Sequence, residues 1–238
     1  STSIQLQAGA YYYVEVLHKE GGGDDHVSLY WRTPSNGTRT IIPGSALARW
    51  QDCQPSVRIR MNLQGPWNTT TAMMNDDLRQ AGLVPTAEPY AGLGFTLVGS
   101  GGESVSPAML AMTGKNAVVD WVLIELRNKN NSSQILGTRS ALLLRNGNIV
   151  DMNGTSDVVF ANLTADDYYI AIRHRNHLGI MTQNAVALSS VGSLIDFSAG
   201  AATFGGTAAT KLVGTARCLW AGDASGDNVV MYTGTGND

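Results

Sequence analysis

The chain has little cysteine, little charge and no long apolar run, and each shortage removes a class of protein. Only two cysteines occur in 238 residues, Cys53 and Cys218, with no C-x-x-C and no metal-ligand spacing between them. Zinc-ribbon and thioredoxin-type chemistry is therefore excluded. Two readings stay open for the pair, a single disulfide from the middle of the chain to its end or two buried thiols. Charged residues make up 15% of the chain and the formal net charge is −3. That balance supplies neither the basic footprint of a nucleic-acid binder nor a polybasic patch for an anionic membrane. No stretch approaches the ~20 apolar residues of a membrane-spanning helix, which argues against membrane insertion. Residues 1–30 lack the basic, apolar and small-residue order of a signal peptide. Motifs of the types G-x-S-x-G, H-E-x-x-H and phosphate-cradling glycine loops are missing as well.

What is present is strand and turn chemistry. The chain has 27 glycines, and Thr, Ser, Asn and Val are plentiful, as in β-rich proteins. Tyr11 to Lys19 and Val27 to Arg32 read as strands joined by the glycine-rich connection Gly21 to Asp25. Val57, Ile59 and Met61 alternate with Arg58, Arg60 and Asn62, which predicts a half-buried strand. Val118 to Arg127 is nearly all apolar on both faces and reads as a central strand. Gln134 to Arg145 turns at Asn146-Gly147 into Ile149 to Met152, and short strands follow at Val158 to Phe160, Tyr168 to His174, Ala185 to Leu188 and Ile195 to Phe197. Only Asn75 to Ala81 looks helical, with Asn75 as its cap and Gly82 as its stop. Short strands with turns between them predict an all-β fold, a β-sandwich of immunoglobulin-like or prealbumin-like type. Trp121, Leu123, Leu142, Leu144, Ile170 and Ile172 are its expected interior. Loop composition suggests three pieces: a partial second β-sandwich over 1–52, the central sandwich over 56–197 and a short calcium-loop tail over 211–238.

The tail carries the sharpest motif. Asp223-Ala-Ser225-Gly-Asp227-Asn-Val229 alternates oxygen donors and then offers a backbone carbonyl, as the first half of a helix-loop-helix Ca²⁺ loop does. The second half departs from that pattern. Asn228 replaces the usual glycine and Gly234 the closing carboxylate, so Asn237 or Asp238 is left to complete the shell. The expected metal set is thus Asp223, Ser225, Asp227, Val229, Asn237 and Asp238, holding a structural Ca²⁺. The competing reading is a polar surface turn.

Other candidates are thinner. His174 and His177 flank Arg175-Asn176 at a strand end and meet only if the chain turns there. His18, Glu20, Asp24 and His26 crowd one hairpin, and Asp120 beside Trp121 reads as a hydrogen-bonded structural carboxylate. Asn36, Asn68, Asn131, Asn153 and Asn162 begin N-x-S/T triplets that read as turn and strand chemistry.

Two resemblances add to this reading. Ile4 to Trp31, with Tyr11-Tyr12-Tyr13, Glu15, His18, Glu20 and Asp24-Asp25, followed by Ile42-Pro43-Gly44-Ser45, resembles the closing strands of the anthrax protective-antigen type β-sandwich, which flocculin lectins and many glycosidases share. From Val57 onward the chain is similar to a C-terminal region of very large secreted Bacteroidetes surface proteins of the type IX secretion kind. The carrying residues are Asn75 to Arg79, Glu88-Pro89-Tyr90, Val119 to Arg127, Asp167 to Gly179 and Leu219 to Asp223. These resemblances imply an extracellular cell-surface segment, non-catalytic and structural or adhesive, within a filament or layer. Its partners would be other domains of a longer parent chain or neighbouring subunits. The alternative is a calcium-assisted carbohydrate-binding module of an adhesin or glycosidase, with a surface glycan as partner.

Overall fold

A computed structural model of the protein describes residues 5–7, 12, 14, 16–19, 21–22, 26–33, 36–47 and 54–222. The chain divides into two compact units, Ser1–Asp52 and Cys53–Asp238. It is all-β and sandwich-like, with strands β1 Tyr30–Thr33, β2 Asn36–Ile41, β3 Ser56–Arg60, β4 Trp67–Asn68, β5 Met73–Met74, β6 Val118–Asn128, β7 Asn131–Leu144, β8 Asn148–Val150, β9 Val158–Val159, β10 Asp166–His174, β11 His177–Met181, β12 Val186–Leu188, β13 Ser193–Asp196, β14 Lys211–Val213 and β15 Ala216–Cys218. Two one-turn helices, α1 Asp77–Gln80 and α2 Pro107–Leu110, accompany them.

In the first unit β1 pairs antiparallel with β2, closing at Thr33↔Asn36. This differs from the expected hairpin about Gly21 to Asp25. The described residues Tyr12, Val14 and Val16 to Lys19 carry no strand. Two residues separate Thr33 from Asn36 against the five of Gly21 to Asp25, and shorter connections close at lower entropic cost.

The second unit is built on one nine-stranded sheet with the order β11-β10-β6-β7-β8-β3-β13, with β12 beside β10 and β9 beside β3. All pairings are antiparallel except β13 with β3. The sheet is buried on both faces. One core joins Ile124, Leu126, Leu143, Ile170, Ile172 and Ile180 to Val57, Ile59, Ile195 and Phe197 from the other end of the strand order, so the sheet curls around it. On the opposite face Trp121, Leu123, Leu142 and Leu144 pack under a layer of loop and short helix carrying Val84, Tyr90, Val105 and Met109. The expected single interior is therefore two. Register gives the reason: Ile170 lies opposite Leu126 and Ile172 opposite Ile124, and directly opposed residues share a face.

Local chemistry accounts for the connections. Gly147, at φ +86, closes the β7–β8 turn, where a Cβ would sit 2.9 Å from Asn62 Oδ1 and 3.0 Å from the Met61 carbonyl. The side chains of Asn68, Asn131 and Asn153 accept hydrogen bonds from the backbone N–H two residues on. Helix α1 begins later than expected, with Asp76 rather than Asn75 at its N-cap. The Asp76 carboxylate makes no cap hydrogen bond and instead accepts from Arg79 and Gln80. Asn62, expected to face outward, is buried, and its backbone carbonyl accepts from Leu219 N–H at 2.8 Å.

Candidate functional site: a buried histidine pair and a neighbouring groove

The β10–β11 turn gathers the polar residues of the second unit. Arg175-Asn176 forms the turn, which makes His174 and His177 cross-strand partners. Their rings meet edge to face at 4.7 Å, with the two Nδ1 atoms 3.1 Å apart. Hydrogen bonding assigns the tautomers. Asn176 N–H donates to His174 Nδ1 at 3.1 Å, so that nitrogen is an acceptor and His177 Nδ1 carries the hydrogen between the rings. Gly65 N–H donates to His177 Nε2 at 3.4 Å, which fits a neutral imidazole. His174 Nε2 faces Asp120 Oδ2 at 3.3 Å, off the line of a full hydrogen bond.

Asp120 anchors the far end. A bulge in β6 between Val118 and Asp120 re-aims the side chain at this point of the strand. Its carboxylate is 1% exposed and accepts from Arg175 Nε and Nη2, both at 3.0 Å, and from Trp121 N–H at 2.9 Å. Burial pushes the Asp120 pKa up, but His174 and Arg175 together outweigh burial and hold it below the ordinary value. His177 goes the other way for its type. Burial first, and then the neighbouring His174, push it down to about 3 against the pull of Asp120.

The ring nitrogens do not converge on a common point, because His174 turns one toward Asp120 and the other toward His177. Among the described residues no group of three or more His, Cys, Asp or Glu is arranged to hold a metal ion. The arrangement acts as a relay of hydrogen bonds that ties the turn to β6 and to the loop at Gly65. It also receives the segment leading to the acidic stretch: Leu178 N–H donates to the Trp220 carbonyl at 2.9 Å, His177 bridges Ala221, and Gly222 N–H donates to the Asn176 carbonyl at 3.3 Å. Just before it, Cys218 is a buried free thiol whose pKa burial raises to about 11. Cys53 lies outside the described residues, as do Glu20, Asp24 and the whole expected metal set, Asp223, Ser225, Asp227, Val229, Asn237 and Asp238.

A groove of about 290 Å³ opens on the same β6–β10 pair, lined among others by Phe95, Thr96, Glu125, Arg127, Ile135 and Arg173. Arg127 donates through Nε and Nη2 to Glu125 Oε2 and through Nη1 to the Ser132 carbonyl. Sequence reasoning passed over these residues. The available signal was Glu125, which with Asp120 interrupts the otherwise apolar run from Val118 to Leu126.

No protein-family model matches the chain, and neither the curated proteins nor the solved structures contain a match to it.

Proposed function

We propose that the chain is a non-catalytic structural or adhesive segment of a large secreted bacterial surface protein, working outside the cell within a fibre or layer. The observation that carries this reading is the exposure of apolar side chains on the first unit. Leu17 is 89% and Ile41 61% exposed, and Leu6, Val14 and Val27 are exposed beside them. A small unit that leaves so many aliphatic groups in water is built to be covered by other polypeptide. Strands β1 and β2 point the same way. They form a two-stranded sheet with no third strand among the described residues, and such a pair is marginal alone and open to strand addition. The resemblances to protective-antigen type sandwiches and to type IX secretion surface proteins supply the setting.

A structural Ca²⁺ belongs to the same reading. The donor set Asp223, Ser225 and Asp227 with the Val229 carbonyl suits a hard cation that prefers oxygen, and Asn237 or Asp238 would complete it. The cation would neutralise carboxylates that otherwise repel one another.

The reading is tested by the association state of the full chain. Sedimentation across a concentration series should show self-association that Leu17→Glu and Ile41→Glu abolish. A chain that stays monomeric at its highest soluble concentration and binds no hydrophobic dye overturns it.

A further inference from the structure

We propose that the groove between β6, β10 and the loop at residues 93–96 binds an acidic saccharide, with a uronate carboxylate on Arg173 and a sugar hydroxyl on Glu125. This goes beyond the adhesive reading and does not rest on it, since a monomeric chain would bind sugar equally well.

The charge balance comes first. Glu125 is neutralised by Arg127, which leaves the guanidinium of Arg173 as surplus positive charge in the groove lining. Among the described residues Arg173 has no carboxylate partner and no side-chain hydrogen bond. Its contact is the Phe95 ring, 5.7 Å from the guanidinium carbon to the centroid. A half-buried guanidinium without an anion is a planar set of donors matched to a carboxylate.

Three features hold Arg173 in place before any ligand arrives. A bulge in β11 sets Leu178 and Gly179 opposite Arg173, between the pairs Ile172↔Ile180 and His174↔His177. Gly179 on β11 leaves room for its stem, since a Cβ there would lie 3.2 Å from Arg173 Cδ and 3.4 Å from Nη1. The Phe95 ring beneath it is fixed edge-on by Tyr90 at 5.1 Å.

The class of ligand follows from what the groove leaves unused. Glu125 is 4% exposed, yet only Oε2 accepts from Arg127, and Oε1 makes no hydrogen bond among the described residues. Oε1 is open to the groove, where a carboxylate oxygen with free lone pairs can accept from a ligand donor. A simple anion satisfies Arg173 and offers Glu125 Oε1 no donor. A neutral sugar satisfies Glu125 and leaves Arg173 unmatched. A ligand bearing a carboxylate and hydroxyls on one ring satisfies both. The volume of about 290 Å³ suits a single ring, at the small end of the ~300–1,000 Å³ usual for ligand clefts.

The test is calorimetric titration of the full chain with trigalacturonate and triglucuronate, beside galactotriose, acetate and a short glutamate-rich peptide. Saturable binding of at least one uronate trimer is expected, weakened about tenfold or more in Arg173→Gln, as loss of a charge-assisted pair implies. Glu125→Gln should weaken it further from the hydroxyl side, and unchanged melting of Arg173→Gln keeps that variant interpretable if Glu125→Gln folds poorly. Absence of saturable binding by both trimers, equal binding of galactotriose, or undiminished binding by Arg173→Gln overturns the proposal. Tighter binding of acetate or of the peptide than of either trimer overturns the assignment to a sugar.

Discussion

Acid should weaken the second unit through His177, by an amount the structure sets. The imidazole has a pKa near 6.5 in the unfolded chain and about 3 in its buried place against His174 and Gly65. Between those values the unfolded chain binds one more proton at this residue than the folded chain does, so stability falls as pH falls. At pH 5 the deficit is about 2 kcal/mol relative to neutrality, from 1.36 kcal/mol per pKa unit. For a unit of this size that corresponds to a melting point lower by about 4–8 °C. Asp120 acts in the same direction, since its folded pKa is depressed, but only lower on the pH scale where carboxylates titrate. Urea unfolding of wild type and His177→Gln at pH 7, 6 and 5 isolates the effect. The variant should be weaker at neutral pH, having lost the Gly65 and His174 contacts, yet its stability should fall less steeply toward pH 5. Parallel pH profiles for the two proteins would show that His177 does not carry the acid sensitivity.

Trp121→Ala should cost about 3–5 kcal/mol in urea unfolding, because the ring is fully buried and its Nε1–H donates to the Pro85 carbonyl at 2.8 Å. A loss under about 1 kcal/mol would refute its place in the core. Calcium should protect residues 223–238 from proteases, and Asp227→Ala should abolish that protection while the melting of the second unit stays unchanged. Equal cleavage of that stretch with calcium and with chelator would reduce it to a surface turn.

The parts legible in the sequence are those whose signal is local. The apolar density of Val118 to Leu126 marks β6, the alternation of Val57 and Ile59 with two arginines marks β3, and Asn146-Gly147 marks the turn after β7. Asp120 was readable as a hydrogen-bonded structural carboxylate, because a charge beside a core tryptophan needs partners. The layer over Trp121 was not legible. Val84, Tyr90, Phe95, Val105 and Met109 follow no period, and their burial comes from what they cover. Helix α2 was missed although Ser106-Pro107 is a cap followed by a first-turn proline, and Ser106 Oγ does accept from Met109 N–H. The histidine pair was legible only in part. Its turn carries no glycine, and spacing along a strand says nothing of where the strand ends.

The position of β3 also fixes the order in which this unit can be completed. Its residues pair with Ile149 on β8, Val158 on β9 and Ile195 on β13, and the segment after it with Leu219. None of these partners is close in sequence, so as the chain emerges during synthesis Val57 and Ile59 wait unpaired through β4 to β7. Such distant closure slows folding and leaves an apolar strand available to the wrong neighbour in the meantime. The arginines alternating along its other face, Arg58 and Arg60, are exposed, and charge on a waiting strand is a guard against edge-to-edge pairing.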